Sequence, residues 1–192
     1  LWNRSEIETV APFVEGQAIL RSEQNAIGVV VKGIDPYRED LAVFGESLRW
    51  GALDFNSVDQ IREKRRFFGF FKKMEREHVP VVLIGEGLAR ILGVGLGERL
   101  SLIVPLAEAG KTFSLTQAQS RTFRVGGIFR LGMSDFDSGL ALIRLDEAQS
   151  LYHLGGKVTG LGVRFRDVDQ AESLKGFFQG ELGPQIWVRS WV

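Results

Sequence analysis

The sequence predicts an α+β fold, and three observations carry that prediction. Short apolar strands and helical stretches alternate irregularly, without the regular strand–helix rhythm of a doubly wound sheet. The run 81–104, VVLIGEGLARILGVGLGERLSLIV, reads as apolar strand, Gly turn, amphipathic helix, second Gly-rich turn and second apolar strand. No fixed-period repeat or low-complexity linker divides the chain. Its 192 residues suit one large domain or two small ones, with enough core to fold without staples.

Taken in order, residues 10–20 read as extended, and the β-branched run 27–31 as a strand closed by the turn signal Gly33-Ile-Asp-Pro36. Residues 41–51 suit a short helix ending at Gly51. Residues 57–77 hold no Pro and many good helix formers, which predicts a helix weakened at Gly69. Within 81–104, Gly93 or Gly95 supplies a positive-φ helix end, and Leu88, Ile91 and Leu92 form one buried face. The polar stretch 105–122 spans 18 residues between two strands, long for a passive turn and suited to a protruding arm. Residues 123–129 read as a strand with a bulge at the pair Gly126-Gly127. A strand at 140–145 follows, then a helix through Leu154 capped by Asp146. A half-buried strand at 158–165, an amphipathic helix at 167–178 and a strand at 185–192 complete the chain.

Lys+Arg and Asp+Glu each number 24, so the net charge is zero and a global preference for nucleic acid is not expected. The chain has no cysteine, which excludes disulfides and thiolate metal sites. Its apolar stretches are far below the ~20 residues that span a bilayer. The opening at Leu1, with no Met and no signal segment before the first strand, reads as a soluble fragment of a longer protein.

Candidate chemistry is sparse. Gly110-Lys-Thr112 follows a strand, but a phosphate loop needs Gly where Pro105 stands, and Pro has no amide hydrogen to offer. The glycines at 85, 87, 93, 95 and 97 have the wrong spacing for a dinucleotide fingerprint, because a helical segment separates Gly87 from Gly93. His78 and His153 lack a second ligand at i+3 or i+4, and surface or turn positions are their default. Asp135/Asp137 and Asp167/Asp169 flank turns, where capping explains them better than acid–base work. No catalytic, cofactor-binding or metal-binding residue is expected. Arg62-Glu-Lys-Arg-Arg-Phe-Phe-Gly-Phe-Phe-Lys-Lys73 puts six basic residues and four phenylalanines in twelve positions. As a helix it would align Phe67, Phe70, Phe71 and Met74. Packing of that face on the core is the default, with a membrane surface or a nucleic-acid patch as alternatives.

Five segments together resemble the periplasmic domain of the lipoprotein-releasing permeases LolC and LolE, within the MacB-like (FtsX-like) ABC permease superfamily. They are APFVEGQAIL (11–20), GVVVKGIDP (28–36), IGEGLARILGVGLGERLSLIVP (84–105), FRVGGIFRLGMSDFDSGLALIRLDEAQSLYHLG (123–155) and WVRSW (187–191). They fall in the family's order and cover most of the chain.

The resemblance implies a two-lobed α+β domain displayed on the periplasmic side of the inner membrane, between two membrane helices. A porter-like lobe would come from residues 1–36 and 158–192, with a sabre-like lobe, 37–157, inserted between them. It further implies a non-catalytic domain. ATP would be hydrolysed by a separate cytoplasmic LolD-like subunit, and a second permease subunit would complete the transporter. The partners would be a lipoprotein substrate and a periplasmic LolA-like carrier, with no cofactor and no nucleic acid. In LolC-type members an arm of the inserted lobe grips the carrier, and the matching stretch here is about 106–122. Leu106, Phe113 and Leu115 would be its apolar anchors, with Lys111 and Arg121 steering an acidic partner. The alternative within the superfamily is a MacB-like exporter ectodomain docking a periplasmic adaptor. The stretch 57–77 is longer than the family's usual connection and reads as an insertion.

Overall fold

The computed structural model describes residues 6–56, 58–65, 72–105, 118–167, 171–183 and 185–189. The elements run β1 (Ile7–Arg21), β2 (Ala26–Ile34), α1 (Ala42–Glu46), β3 (Leu48–Gly51), β4 (Val58–Arg65), β5 (Lys72–Val79) and β6 (Val81–Gly85). They continue with α2 (Glu86–Leu92), β7 (Arg99–Val104), β8 (Gln119–Phe129), α3 (Ser134–Gly139), β9 (Leu140–Arg144), α4 (Leu145–Leu151), β10 (Gly160–Phe165) and α5 (Ala171–Leu182). The fold is α+β, as the irregular alternation predicts.

Six strands pair in the order β1-β2-β9-β6-β8, and β7 pairs both β8 and β1, so the sheet closes into a ring. Closure rests on Ile19↔Ile103 to Arg21↔Ser101 on one side of β7, and on Arg99↔Arg124 to Val104↔Gln119 on the other. Every second residue enters one buried cluster: Val14, Ala18 and Leu20 from β1, Val29 and Val31 from β2, and Val82 and Ile84 from β6. Leu100, Leu102 and Val104 from β7, Phe123 and Val125 from β8, and Ala141 and Ile143 from β9 complete the set. The period-2 pattern makes this possible, since alternate side chains share a face. α2 follows β6 and α4 follows β9, and these two strands are antiparallel, so the helices start at opposite ends of the ring. They add Leu88, Ala89, Leu92, Ala148 and Leu151 to the same cluster.

A second cluster, Ile34, Phe55, Val81, Leu83, Phe129, Leu140 and Leu142, covers the other face of β6 and β9 with help from Phe44 and Phe136. Burial on both faces explains why 81–84 and 140–143 are unbroken apolar runs where an alternating pattern marks a half-exposed strand. The expected bulge is present: Val82 pairs Val125 but Leu83 pairs Gly127, leaving Gly126 as the extra residue. It shifts the side-chain phase, so that Ile128 joins the first cluster and Phe129 the second. Glycine is needed at both positions, because a Cβ would lie 2.4 Å from Val81 at Gly126 and 2.6 Å from Leu83 at Gly127.

Several expectations are corrected. Where a helix is predicted over 57–77, residues 58–65 and 72–79 form the antiparallel ribbon β4–β5, in register from Val58↔Val79 to Arg65↔Lys72; 57 and 66–71 lie outside the described residues. Helix propensity is a weak prior that strand pairing overrides, and Gly69 at mid-segment removes what support remained. Of the expected helical face, Met74 lies in β5, and Phe67, Phe70 and Phe71 lie outside the described residues. The helix expected over 41–51 is only α1, after which the chain turns into β3 against β8. Ile91 is exposed, and Ala89 takes its place on the buried face of α2 beside Leu88 and Leu92. Gly93 closes α2 at φ 64°, as expected; Gly97, not Gly95, is the second glycine with positive φ. Arg144, not Asp146, occupies the N-cap of α4. Residues 185–189 form no strand, and 190–192 lie outside the described residues.

Candidate functional site: the root of the β7–β8 arm

β7 and β8 form an antiparallel pair whose last rung is Val104↔Gln119, and residues 106–117, the core of the expected arm, lie outside the described residues. Residues 119–122, expected within the arm, belong instead to β8. Of the candidate contact residues, Leu106, Lys111, Phe113 and Leu115 lie outside the described residues. Arg121 lies in β8, opposite Leu102. Its guanidinium is engaged: Nη2 donates to Glu147 Oε1 at 3.1 Å, and a second contact joins Nη1 to Glu147 Oε2. Arg121 is thus an anchor at the arm's base, tying β8 to α4.

Two carboxyls at this root, Glu147 and Asp146, are shifted in opposite directions. Burial pushes Glu147 above the ordinary glutamate range, and neighbouring Asp146 adds to that, while Arg121, Arg144 and His78 oppose it. Asp146 behaves oppositely. Burial would raise it, but the Arg144 hydrogen bonds and charge prevail and hold it below the usual range. Arg144 Nε and Nη2 donate to its two oxygens at 2.8 and 2.9 Å, a bidentate pair. On the far side of α4, burial pushes the Tyr152 hydroxyl up to about 12. That hydroxyl donates to the Gln17 carbonyl at 3.2 Å, and the ring lies against Gly16, where a Cβ would stand 2.6 Å away. These groups are engaged in holding α4 on β1 and β8.

The remaining titratable candidates have structural positions. Asp137 accepts the amides of Leu131 and Gly132 at 2.7 and 3.1 Å, closing the turn before α3. His153 is exposed at φ 55° just after α4, and His78 is exposed in β5. Among the described residues no cluster of His, Cys, Asp or Glu could hold a metal ion, and no helix is long and apolar enough to cross a membrane. Asp169 and Gly110-Lys-Thr112 lie outside the described residues. The Arg121–Glu147 pair escapes sequence reasoning because its partners stand 26 positions apart, and no local pattern links them.

The chain belongs to the MacB-like periplasmic core domain family, the periplasmic domains of ABC permeases, and the family model matches residues 2–176. It is similar to the lipoprotein-releasing system transmembrane protein LolC of Neisseria meningitidis serogroup B, 29% identical over 99% of this chain and 41% of that protein. LolC of Xylella fastidiosa is 28% identical over 95% of this chain and 39% of the relative. LolE of Haemophilus influenzae is 22% identical over 100% of this chain and 41% of that protein. The chain thus spans about two fifths of the length of these relatives. The fold is shared with the periplasmic region of MacB from Actinobacillus actinomycetemcomitans, with a TM-score of 0.51, 17% identity, and coverage of 93% of this chain and 69% of that one.

Proposed function

We propose that this chain is the periplasmic part of an ABC permease subunit that releases lipoproteins from the inner membrane and passes them to a soluble LolA-like carrier. The observation that carries this reading is similarity to LolC proteins along 95–99% of the chain. The domain itself is non-catalytic, and ATP is hydrolysed by a separate cytoplasmic LolD-like subunit working with a second permease subunit. Motion of the membrane helices is passed to the ring, and the arm at 106–117 holds the carrier. Leu106, Phe113 and Leu115 anchor it, since apolar side chains supply most interface affinity. Lys111 speeds encounter with an acidic partner. Arg121 acts one step back, fixing the direction in which the arm leaves β8. The porter-like lobe (1–36 and 158–192) and the sabre-like lobe (37–157) belong to the same proposal.

Replacing 107–117 by a short Gly-Ser turn should abolish binding of purified carrier while leaving the melting temperature within a few degrees of the parent. The ring's ladders end at Val104 and Gln119 and are untouched by this change. Carrier binding at parental affinity would remove the arm from the mechanism.

A further inference from the structure

β1 changes partners at one residue. From Ile7 to Phe13 it pairs β10, from Phe13 to Arg21 it pairs β2, and Phe13 alone stands in both ladders, opposite Gly160 and Ile34. The sequence helps to set that point. Phe13 and Glu15 turn their backbone groups toward Thr159, so Pro12, one residue out of phase, faces the β2 edge. Having no amide hydrogen, Pro12 offers the β2 ladder no further donor. On the opposite edge β10 ends at Phe13 and β7 begins at Ile19, so among the described residues no strand pairs 14–18 there.

The first half of β1 packs with β10 and α5. Phe178 of α5 stacks on Phe165 of β10 with ring centroids 6.1 Å apart. Val10, Ala11 and Phe178 are buried, yet they belong to neither cluster of the ring. Polar contacts tie this unit to the ring. The Thr159 amide donates to the Phe13 carbonyl at 3.0 Å, and its hydroxyl accepts the Glu15 amide at 2.7 Å, standing in for the next rung of the β10 ladder. Arg164 of β10 pairs with Asp40 in the loop after β2. Lys32 of β2, 2.8 Å from Glu39, lies over the Phe13 ring at 5.4 Å.

We infer that Pro12–Phe13 is a hinge and that Thr159 and the Arg164–Asp40 pair are its latch. Bending a sheet across its strands normally breaks ladder bonds on both edges, but here one shared rung and a few side chains resist. Arg164 and Asp40 are 50% and 33% exposed, so water screens their attraction and the pair opens readily. The β1–β10 ladder and the Phe165–Phe178 stack lie on one side of the hinge and move together. The ladders that close the ring lie on the other side and stay intact. Latched, the two parts turn as one body; unlatched, the ring changes its angle to the β1–β10–α5 unit without losing a strand pair. The inference rests on the ladders and does not depend on the permease reading.

The chain has no cysteine, so cysteines introduced in pairs carry spin labels at chosen sites only. Glu181→Cys on α5 with Ser150→Cys on α4 spans the hinge, and Glu23→Cys with Ser150→Cys lies within the ring; all three positions are exposed. Electron–electron distance measurements on the purified chain should give one narrow population for each pair. Asp40→Asn/Thr159→Val should add a second population to the hinge-spanning pair and leave the ring pair unchanged. Asn keeps the acceptor that Asp40 offers the Ala42 amide, Val keeps the shape of Thr, and Glu8 still accompanies Arg164 at 3.4 Å. The inference fails if the variant's hinge-spanning distance stays as narrow as the parent's. It fails if the ring pair broadens as well, since these contacts would then hold the fold and not a hinge. A second population already as large in the parent would also overturn it, because the latch would hold nothing.

Discussion

Phe123→Ala should lower the free energy of unfolding by about 3–5 kcal/mol, among the largest effects open to a single substitution in this chain. Phe123 is fully buried in β8, directly opposite Leu100 of β7, at the seam where the ring closes. Truncation removes the transfer energy of the ring and leaves a cavity lined by residues fixed in two strand ladders. These cannot collapse inward without breaking register, so relaxation is limited. Urea unfolding followed by circular dichroism measures the loss, and a change below about 1 kcal/mol would mean that the seam repacks freely. The same titration tests the lobe division. β1 and β2 are hydrogen-bonded into one ring with β7 and β9, which predicts a single transition; two separated transitions would support independently stable lobes.

Arg121→Ala should cost about 1–3 kcal/mol near neutral pH, because it strands the Glu147 carboxylate rather than merely deleting a contact. The Glu147 side chain is 15% exposed and Arg121 37%, so solvent screening keeps the cost below that of a fully buried pair. The pH dependence has a definite sign. Glu147 is raised above its unfolded value mainly by burial, and Arg121 is the largest opposing influence; removing Arg121 raises it further. A carboxyl raised in the folded state binds its proton more tightly there, so stability falls as pH rises from the ordinary glutamate value through the folded one. The deficit of Arg121→Ala should therefore shrink on acidification through that window. Glu147→Gln in the same background should recover much of the loss at neutral pH. Asp146 does not mask this, because its depressed carboxyl loses its contribution only as pH falls below the ordinary aspartate range. Thermal melts of the parent, single and double variants across mildly acidic to neutral pH decide the matter. A deficit that does not change with pH would show that Arg121 acts by packing alone.

Much of the fold was legible in the chain. The strand–turn–helix–strand of 81–104, the bulge at Gly126-Gly127 and the strand at 140–144 follow from apolar runs and glycine placement, which act locally. The misreadings share a cause. Residues 57–77 offer helix formers and no proline, and only the pairing of 58–65 with 72–79 makes those residues strands. Ile91 has the spacing of a core residue but faces outward, because Ala89 meets the packed interior instead. At the candidate site the expected arm extended to residue 122, whereas 119–122 belong to β8. Arg121, expected to steer an acidic partner, is held by a glutamate on another element.

The sequence by itself determined the α+β class, the family resemblance and the concentration of positive charge at 62–73. All of these depend on residue type and on neighbours within a few positions. Only the tertiary structure decided that β7 joins β1 to β8 and closes the sheet. It alone paired Arg121 with Glu147. The physical reason is that strand pairing and ion pairing are chosen between segments remote in the chain. There the energy lies in register and burial, which no local pattern encodes.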